Sequence, residues 1–293
     1  MKNVFITGAS GFLGNYLLKF ASADVHILAQ YHTTAPAITS SNIDCLQMDY
    51  ANPDWTQVQH FQPDTIIHCG AMTQIDKCEQ RPAAAVTANL TFTKYLCDVA
   101  NLTGARFIFI STDQVYDGEN RDYSETDTAN PVNQYGKIKL AAETFVLGNH
   151  PNAVVARSAL IYGKSLHGKV TFTESMIGRL REGQTVNVFE DEFRTPILVD
   201  NLAEAIWELA GNTFTGLLNL GGSQRITRLE MGKIICEMFG FSESGLLPTK
   251  MADIHLPAKR PQDLSFDISL AKQVLTTPLT DVSTGLQRAF SHP

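Results

Sequence analysis

Short apolar segments rich in valine, isoleucine and phenylalanine alternate with longer segments of helical periodicity through the first half of the chain. This alternation is typical of parallel strands that are joined by crossover helices. It predicts strands over residues 3–7, 25–30, 44–48, 65–69, 106–110 and 153–157. The pattern therefore predicts an α/β fold built on a doubly wound parallel sheet.

Turn and capping residues mark the ends of the predicted helices. Asn52 and Pro53 predict an N-cap followed by the first helical position. Pro82 opens a long helix, and Gly104 supplies its C-terminal stop. The connections of the sheet are thus helical, as a doubly wound fold requires.

Beyond residue 157 the alternation becomes irregular. Thr227 and Glu230 have the spacing of a capping box, and Gly240 ends the helix that they begin. Helical segments are predicted over residues 171–182, 201–210 and 228–239. We therefore predict two domains, residues 1–158 and a smaller C-terminal α+β domain of residues 159–293, some of whose segments return to the first.

The composition excludes several classes of protein. Of the 293 residues, 44% are hydrophobic and 18% are charged, which is typical of globular proteins and not of disordered chains. The formal net charge is −7, whereas a nucleic-acid binder normally carries a cationic face. We therefore expect no nucleic-acid partner.

The five cysteines are odd in number and include no C-x-x-C pair, which disfavours a disulfide framework and a thiolate metal site. We expect reduced core thiols and no bound metal. The apolar run after Lys2 is too short for a signal peptide, and no run approaches the ~20 residues of a membrane span. The expected location is the cytoplasm, without a membrane.

A glycine-rich turn follows the first predicted strand, in the sequence TGASGFLG over residues 7–14. Gly8, Gly11 and Gly14 permit positive φ angles, a close approach of the backbone to a pyrophosphate, and tight packing of the next helix on the strand. Ser10, Phe12 and Leu13 complete this turn. The first domain is therefore predicted to be a dinucleotide-binding Rossmann domain.

The end of the second strand decides between NAD and NADP in such folds. Here the stretch is QYHTT over residues 30–34, and Tyr31 and His32 are the predicted cofactor contacts. It contains neither an acid that would repel a 2′-phosphate nor an arginine that would grip one, which slightly favours NADP(H) over NAD(H). Asp49 follows the third strand, as an acceptor for the adenine amine or as a surface turn residue.

Tyr135 and Lys139 lie four residues apart, on one face of a helix that begins near Asn133. A neighbouring ammonium lowers the pKa of a phenol, which makes tyrosine a usable proton donor or acceptor near neutrality. Upstream, the strand over residues 106–110 runs into STDQVYDG at residues 111–118. Hydroxyl groups are thereby expected at the carboxyl end of a strand, where ligands of open α/β sheets bind.

These motifs together resemble those of the extended short-chain dehydrogenase/reductases, and most closely the dTDP-4-dehydrorhamnose reductase group. TGASGFLG, STDQVYDG and YGKIK at residues 135–139 carry the resemblance, which extends over nearly the whole chain. Residues 68–73, Asn89 and the segment around Arg260 and Pro261 also fit. Ser158 departs from the group, since many extended members have proline there.

The resemblance implies a catalytic triad of Thr112, Tyr135 and Lys139, with Ser111 as the less favoured alternative to Thr112. It implies that the second domain mainly binds substrate. Predicted cofactor contacts are Gly8, Ser10, Gly11, Phe12, Leu13, Gly14, Tyr31, His32, Asp49, Tyr50, Gly70, Ala71, Tyr135 and Lys139. Predicted substrate contacts are Thr73, Asp113, Arg194 and Arg260, the two arginines as phosphate ligands or as ion-pair partners of nearby acids.

The implied reaction is hydride transfer from NADPH to the C4 carbonyl of a nucleotide-linked sugar, with Tyr135 protonating the alkoxide. A dehydratase needs a second acid where this chain has Gln114, which cannot exchange protons. A nucleotide-sugar epimerase remains an alternative. Another is a regulatory subunit like the methionine adenosyltransferase β subunit, which FQPDTIIHC and YGKIK also resemble. The helices from Pro82 and around residues 135–147 have mixed apolar faces. The resemblance implies that such helices pair in a homodimer, and the alternative is that they are buried in the core.

Overall fold

The computed structural model of the protein describes residues 1–167 and 170–290. The strands, in chain order, are β1 (Asn3–Thr7), β2 (His26–Tyr31), β3 (Ile43–Gln47), β4 (Thr65–His68), β5 (Arg106–Thr112), β6 (Ala153–Ser158), β7 (Ile161–Tyr162), β8 (Val186–Phe189), β9 (Phe193–Arg194), β10 (Ile197–Leu198), β11 (Gly216–Leu220), β12 (Ile226–Thr227), β13 (Leu246–Thr249) and β14 (Asp263–Leu264).

The α-helices, in the same order, are α1 (Phe12–Lys19), α2 (Thr56–Phe61), α3 (Ile75–Gln80), α4 (Pro82–Val86), α5 (Phe92–Thr103), α6 (Gln134–Asn149), α7 (Phe172–Arg181), α8 (Val199–Gly211), α9 (Arg228–Phe239), α10 (Ser269–Val274) and α11 (Val282–Phe290). No helix of the described residues is both long and apolar enough to cross a lipid bilayer.

Seven strands form the main sheet in the order β11-β6-β5-β4-β1-β2-β3, and every pairing in it is parallel. On β1, Val4 and Ile6 pack into one apolar cluster while Phe5 packs into another on the opposite face. Both faces of the sheet are therefore covered, which explains why its strands are continuous apolar runs. The predicted doubly wound α/β fold is confirmed.

The predicted strand positions are confirmed, and one difference affects the site. β5 extends two residues beyond its predicted end, through Ser111 and Thr112. These residues pair with Arg157 and Ser158 of β6. The Ser111 and Thr112 hydroxyl groups, which were expected just after the strand, therefore lie on its last two residues. Pairing with β6 holds the backbone of these residues in the sheet.

The predicted start of the helix after β3 is wrong. Asn52 and Pro53 lie in an irregular segment, and α2 begins at Thr56 instead. The carboxylate of Asp54 accepts the amide hydrogen of Thr56 at 3.0 Å. A local aspartate turn therefore occupies the position at which the Asn-Pro pair was expected to cap the helix.

The long helical segment from Pro82 to Gly104 is present, with an inserted π-helical turn at residues 87–91. Asn89 lies in this turn, and its side-chain amide accepts from the Met72 nitrogen at 2.7 Å and donates to the Met72 carbonyl at 3.0 Å. The extra residue of a π turn thus lets a helix hold the loop that follows β4.

Several segments beyond residue 158 contact the first part of the chain. β11 is the outermost strand beside β6, and α8 packs against α1, where the Trp207 indole donates to the Leu17 carbonyl at 2.9 Å. The capping box of Thr227 and Glu230 is confirmed at α9. The division into domains at residue 158 stays a prediction.

The cysteines differ from the expectation in one respect. Cys78, Cys97 and Cys236 are buried and Cys69 is half-buried, but Cys45 is exposed. Cys45 lies on β3, an edge strand whose side chains mostly face solvent. The prediction of a core thiol is therefore wrong for Cys45.

Candidate active site

A cleft of about 750 Å³ opens at the carboxyl ends of the main-sheet strands. Its walls come from the turns after β1 and β4, from the last residues of β5, and from the segment after β6. β1 and β4 are neighbours at the point where the strand order reverses. Open α/β sheets bind their ligands at this reversal.

The turn after β1 is shaped for a backbone approach. Gly8 has a φ of 66°, and a Cβ there would lie 2.6 Å from the Cα of Gly70. At Gly14 a Cβ would lie 2.3 Å from the Gly8 carbonyl oxygen. The N-cap of α1 is Gly11, and no described side chain caps this helix end. The glycine spacing lets a pyrophosphate approach the backbone, and the amides at the start of α1 are available to bind it. The turn therefore fits the pyrophosphate of a dinucleotide.

Gln30 supports this turn, a role that its position at the end of β2 did not reveal. Its side chain is buried, accepts from the Gly8 amide at 3.0 Å and donates to the Met48 carbonyl at 2.8 Å. The uncharged residue therefore links β1, β2 and the segment after β3. A buried strand residue with a side-chain amide was the available signal.

Most of the predicted cofactor contacts line the cleft. They are Gly8, Ser10, Gly11, Phe12, Leu13, Gly14, His32, Tyr50, Gly70, Ala71, Tyr135 and Lys139. Tyr31 and Asp49 do not line it. Asp49 is largely exposed, and one of its oxygens lies 3.6 Å from the His32 imidazole. Behind this pair, His32 stacks on Tyr50 with 5.6 Å between ring centroids.

Thr112, Tyr135 and Lys139 all line the same cleft. α6 begins where expected, because the Asn133 side chain accepts from the Gly136 amide at 2.9 Å as the N-cap. The Asn133 amide group also donates to the side-chain oxygen of Gln114 at 3.2 Å. This contact fastens the first turn of α6 to the 3₁₀ turn that follows β5, residues 113–115. The Thr112 hydroxyl accepts from the Gln114 backbone amide at 3.2 Å, and it lines the cleft together with the Tyr135 phenol.

The expected electrostatic effect of Lys139 on Tyr135 is absent. The pKa of Tyr135 is raised by burial and by the nearby Asp113, and only the Thr112 hydroxyl acts in the opposite direction. The Lys139 ammonium donates to the Ile110 carbonyl at 2.6 Å and lies 3.9 Å from the centre of the Phe109 ring. The prediction of a lowered phenol pKa is therefore wrong, because the ammonium is directed at the strand.

Lys139 is itself only 2% exposed. Burial lowers its pKa to about 7, although Glu143, one helical turn further along, acts in the opposite direction. Near neutrality this amine therefore exists in both charge states.

A buried polar network lies behind the triad and was not found by sequence analysis. Glu143 forms an ion pair with Arg157 of β6, with 2.6 Å between Oε2 and Nη2. The Ser111 hydroxyl donates to Glu143, and Arg157 donates to the Tyr116 hydroxyl at 2.6 Å. The spacing of Glu143, four residues after Lys139, was the available signal. The Ser111 hydroxyl thus donates its hydrogen bond to this network and not to a group in the cleft.

The four predicted substrate contacts, Thr73, Asp113, Arg194 and Arg260, line the cleft. Burial raises the pKa of Asp113, and Arg194, 3.7 Å away, opposes this rise. Arg194 also pairs with Glu192 at 3.0 Å, whereas Arg260 pairs with Asp76 at 2.9 Å. Sequence analysis treated phosphate binding and ion pairing as alternatives for these arginines, and both make ion pairs here.

Two further residues complete this wall: Glu192, which the sequence offered only as an ion-pair partner of Arg194, and Arg228, which was missed. Glu192 is 6% exposed and is held between Arg194 and Arg228, whose Nε donates to it at 2.8 Å. Burial alone would raise the pKa of Glu192, but the two arginines hold it below its usual range. Neither residue belongs to a recognisable motif. Ser158, the departure noted above, lines the cleft and donates to the Ala159 carbonyl at 2.9 Å.

Comparisons with known proteins agree with this geometry. The family model described as "RmlD substrate binding domain" matches residues 1–292. A probable low-salt glycan biosynthesis reductase of Haloferax volcanii is 30% identical, with 98% of each chain covered. The methionine adenosyltransferase 2 subunit beta of Danio rerio is 28% identical, with 99% of this chain and 92% of that protein covered.

Among solved structures, the dTDP-4-dehydrorhamnose reductase of Bacillus anthracis in complex with NADP matches with a TM-score of 0.87. It is 26% identical to this chain, and each chain is covered completely. Because the family model spans almost all 293 residues, the chain belongs to the RmlD substrate-binding-domain family of extended short-chain dehydrogenase/reductases, which includes the dTDP-4-dehydrorhamnose reductases.

Proposed function

We propose that this chain is an NADPH-dependent reductase of the C4 carbonyl of a nucleotide-linked sugar. One observation carries the proposal: a hydroxyl, a phenol and an amine, from Thr112, Tyr135 and Lys139, share one cleft with the glycine turn after β1. The NADP complex of the Bacillus anthracis relative supports the nicotinamide cofactor. When bound, NADPH supplies the hydride.

Tyr135 is assigned the role of proton donor. Its raised pKa keeps the phenol protonated at neutral pH, which is the form that can donate to an alkoxide. Thr112 lines the same cleft, and its hydroxyl is suited to stabilise the developing negative charge on the substrate oxygen. Asp113, beside them, is suited to accept hydrogen bonds from sugar hydroxyls, and Thr73 lines the same cleft.

Gln114 supports a reduction over a dehydration. Its side-chain amide donates to Asp113 at 3.3 Å and accepts from Asn133 at 3.2 Å. The amide is thus fixed at the position where elimination of water would require an acid. Because an amide neither gives nor takes a proton at neutral pH, the site has the groups for carbonyl reduction without a dehydratase pair.

The residues after β2 support NADP(H) over NAD(H). His32, Thr33 and Thr34 line the cleft there, and they offer an imidazole and two hydroxyls. Asp49, the acid that follows β3, lies 3.6 Å from the His32 imidazole and does not line the cleft. We expect a lower KM for NADPH than for NADH, measured with the same keto sugar.

The deciding experiment is NADPH oxidation with a panel of dTDP- and UDP-linked 4-keto sugars. Tyr135→Phe should lower turnover by about 10²- to 10⁴-fold, the usual contribution of a positioned proton donor, and leave NADPH affinity unchanged. Tyr95→Phe is the matched control, because Tyr95 is 46% exposed on α5, away from the cleft. Undiminished turnover in Tyr135→Phe would refute the assigned role.

The resemblance to a methionine adenosyltransferase subunit supports a second candidate, a regulatory subunit that binds cofactor without turning over a sugar. The three residues of the triad favour the reductase. The two functions are separated by combining the substrate panel with a search for a co-purifying protein. A stoichiometric partner together with no turnover would favour the regulatory role.

Exposed apolar side chains on α4, α5 and α6 support a homodimer. They are Val86, Tyr95, Leu102 and Leu147, exposed by 38 to 83%. α4 and α5 each contact α6, so these side chains belong to neighbouring helices, and a contiguous exposed apolar patch is typical of a protein interface. Light scattering of the purified protein measures the mass directly, and replacement of Leu102 by glutamate should shift it towards the monomer.

A further inference from the structure

Arg228 reaches the cleft from a position that no sequence motif marks. It is the first residue of α9, and its side chain is 22% exposed. The Nε atom donates to Glu192 at 2.8 Å, and the guanidinium lies 4.3 Å from the centre of the Phe172 ring. A carboxylate and an aromatic face therefore fix the plane of this guanidinium at the wall of the cleft.

The Nη atoms of Arg228 make no hydrogen bond to any residue in the ranges 1–167 and 170–290, and Nη1 is buried. A buried donor without an acceptor is costly, so such a group in the wall of a cleft is expected to receive its acceptor from water, an ion or a ligand. The Nη edge is also the fork that guanidinium groups use for paired hydrogen bonds to phosphate oxygens.

The other two arginines at this end of the cleft are committed to the protein. The Nη atoms of Arg194 donate to Glu192 and to the carbonyl groups of residues 193, 261 and 262, and its side chain is 4% exposed. Arg260 donates to Asp76 and to the Ala258 carbonyl. Among the three arginines of this wall, Arg228 is therefore the one whose Nη atoms have no hydrogen-bond partner within the described ranges.

We propose that Arg228 donates hydrogen bonds to the diphosphate of the nucleotide-linked substrate, and that Arg194 is a positioning residue that holds Glu192 and Asp113. The identity of the ligand rests on the function proposed above. Glu192 orients Arg228 through Nε and leaves the two Nη groups for the phosphate oxygens. This assignment moves phosphate recognition from β9 to the start of α9.

The test measures binding of dTDP, UDP and thymidine to the full chain loaded with NADP⁺, by calorimetry. Arg228→Met should weaken dTDP or UDP binding by about tenfold to a hundredfold, the range for a hydrogen bond between charged groups. Thymidine, which has no phosphate, should bind within about twofold of the unsubstituted protein. Arg228→Lys should recover part of the loss, since an ammonium keeps the charge without the fork.

Arg225→Met is the matched control. Arg225 is three residues away, pairs with Asp263 and lies 3.7 Å from the centre of the Phe193 ring, but it does not line the cleft. Its substitution should leave dTDP affinity unchanged, and thermal melting verifies that each variant is folded.

Three outcomes would overturn the inference: unchanged diphosphate affinity in Arg228→Met, an equal loss for thymidine, or no binding of either diphosphate to the unsubstituted protein. Failure of the proposed function is a separate result. A protein that reduces no keto sugar but binds dTDP through Arg228 contradicts the reductase and retains the phosphate site.

Discussion

Gly136 packs against the carbonyl of Gln114 so closely that a Cβ at residue 136 would stand 2.1 Å from that oxygen. This contact brings the first turn of α6 onto the turn that follows β5, and so places Tyr135 in the same cleft as Thr112. The geometry of the candidate active site therefore depends on the absence of a side chain at Gly136 as well as on the reactive groups.

Gly136→Ala should separate α6 from β5 and lower kcat by about 100-fold, because small displacements of catalytic groups have effects of this size. Overpacking should also destabilise the fold by about 1–3 kcal/mol. Gly148→Ala is the control on the same helix, where nothing lies within 4 Å of the added Cβ. It should raise the free energy of unfolding by about 0.5–1 kcal/mol with full activity. An active Gly136→Ala enzyme would contradict the proposed constraint.

Gly8→Ala should weaken NADPH binding. Alanine would be strained at a φ of 66°, and its Cβ would lie 2.6 Å from the Cα of Gly70, so the turn must move away from the cofactor. We expect a loss of about tenfold or more in affinity by fluorescence titration. Gly178→Ala, in α7 with open space around the added atom, should bind NADPH normally. Equal affinities in the two variants would be inconsistent with the assigned turn.

Lys139→Met should inactivate the enzyme while stabilising the fold, most strongly at low pH. The folded-state pKa of about 7 lies below the ordinary value of 10.5, so the unfolded chain binds the proton more tightly. The burial of Lys139 therefore costs most below pH 7, and this cost declines as the pH rises from 7 towards 10.5. The stabilisation by methionine should be larger at pH 6 than at pH 9, by on the order of 2 kcal/mol. Urea unfolding at both pH values measures it, and a pH-independent difference would argue against a perturbed lysine.

Glu143→Gln should destabilise the protein by about 3–5 kcal/mol, because the Arg157 guanidinium, 4% exposed, would lose its buried carboxylate partner. Arg157→Met should have a cost of similar size. The double variant Glu143→Met, Arg157→Met should be less destabilised than the sum of the two, since no unpaired charge remains. Denaturant unfolding of the four proteins of this cycle gives the coupling energy. Additive effects would show that the two residues do not act as a pair.

The sequence was sufficient for those features that are encoded locally. Strand positions follow from apolar runs, and the starts of α6 and α9 follow from Asn133 and from Thr227 with Glu230, because a capping side chain bonds the backbone two or three residues away. The glycine turn could also be predicted from the sequence, since positive φ and close backbone contact each require glycine at a fixed spacing.

The tertiary structure alone decided the electrostatics and the partners. Whether Lys139 faces Tyr135 or the Ile110 carbonyl depends on how α6 lies on β5, and this changed the direction of the expected pKa shift of Tyr135. Glu192 and Arg228 are distant in sequence, and so are Glu143 and Arg157, so no spacing in the chain shows that the members of each pair meet. Burial and cross-element contacts depend on the packing of segments distant in sequence, and the local pattern of residues does not contain them.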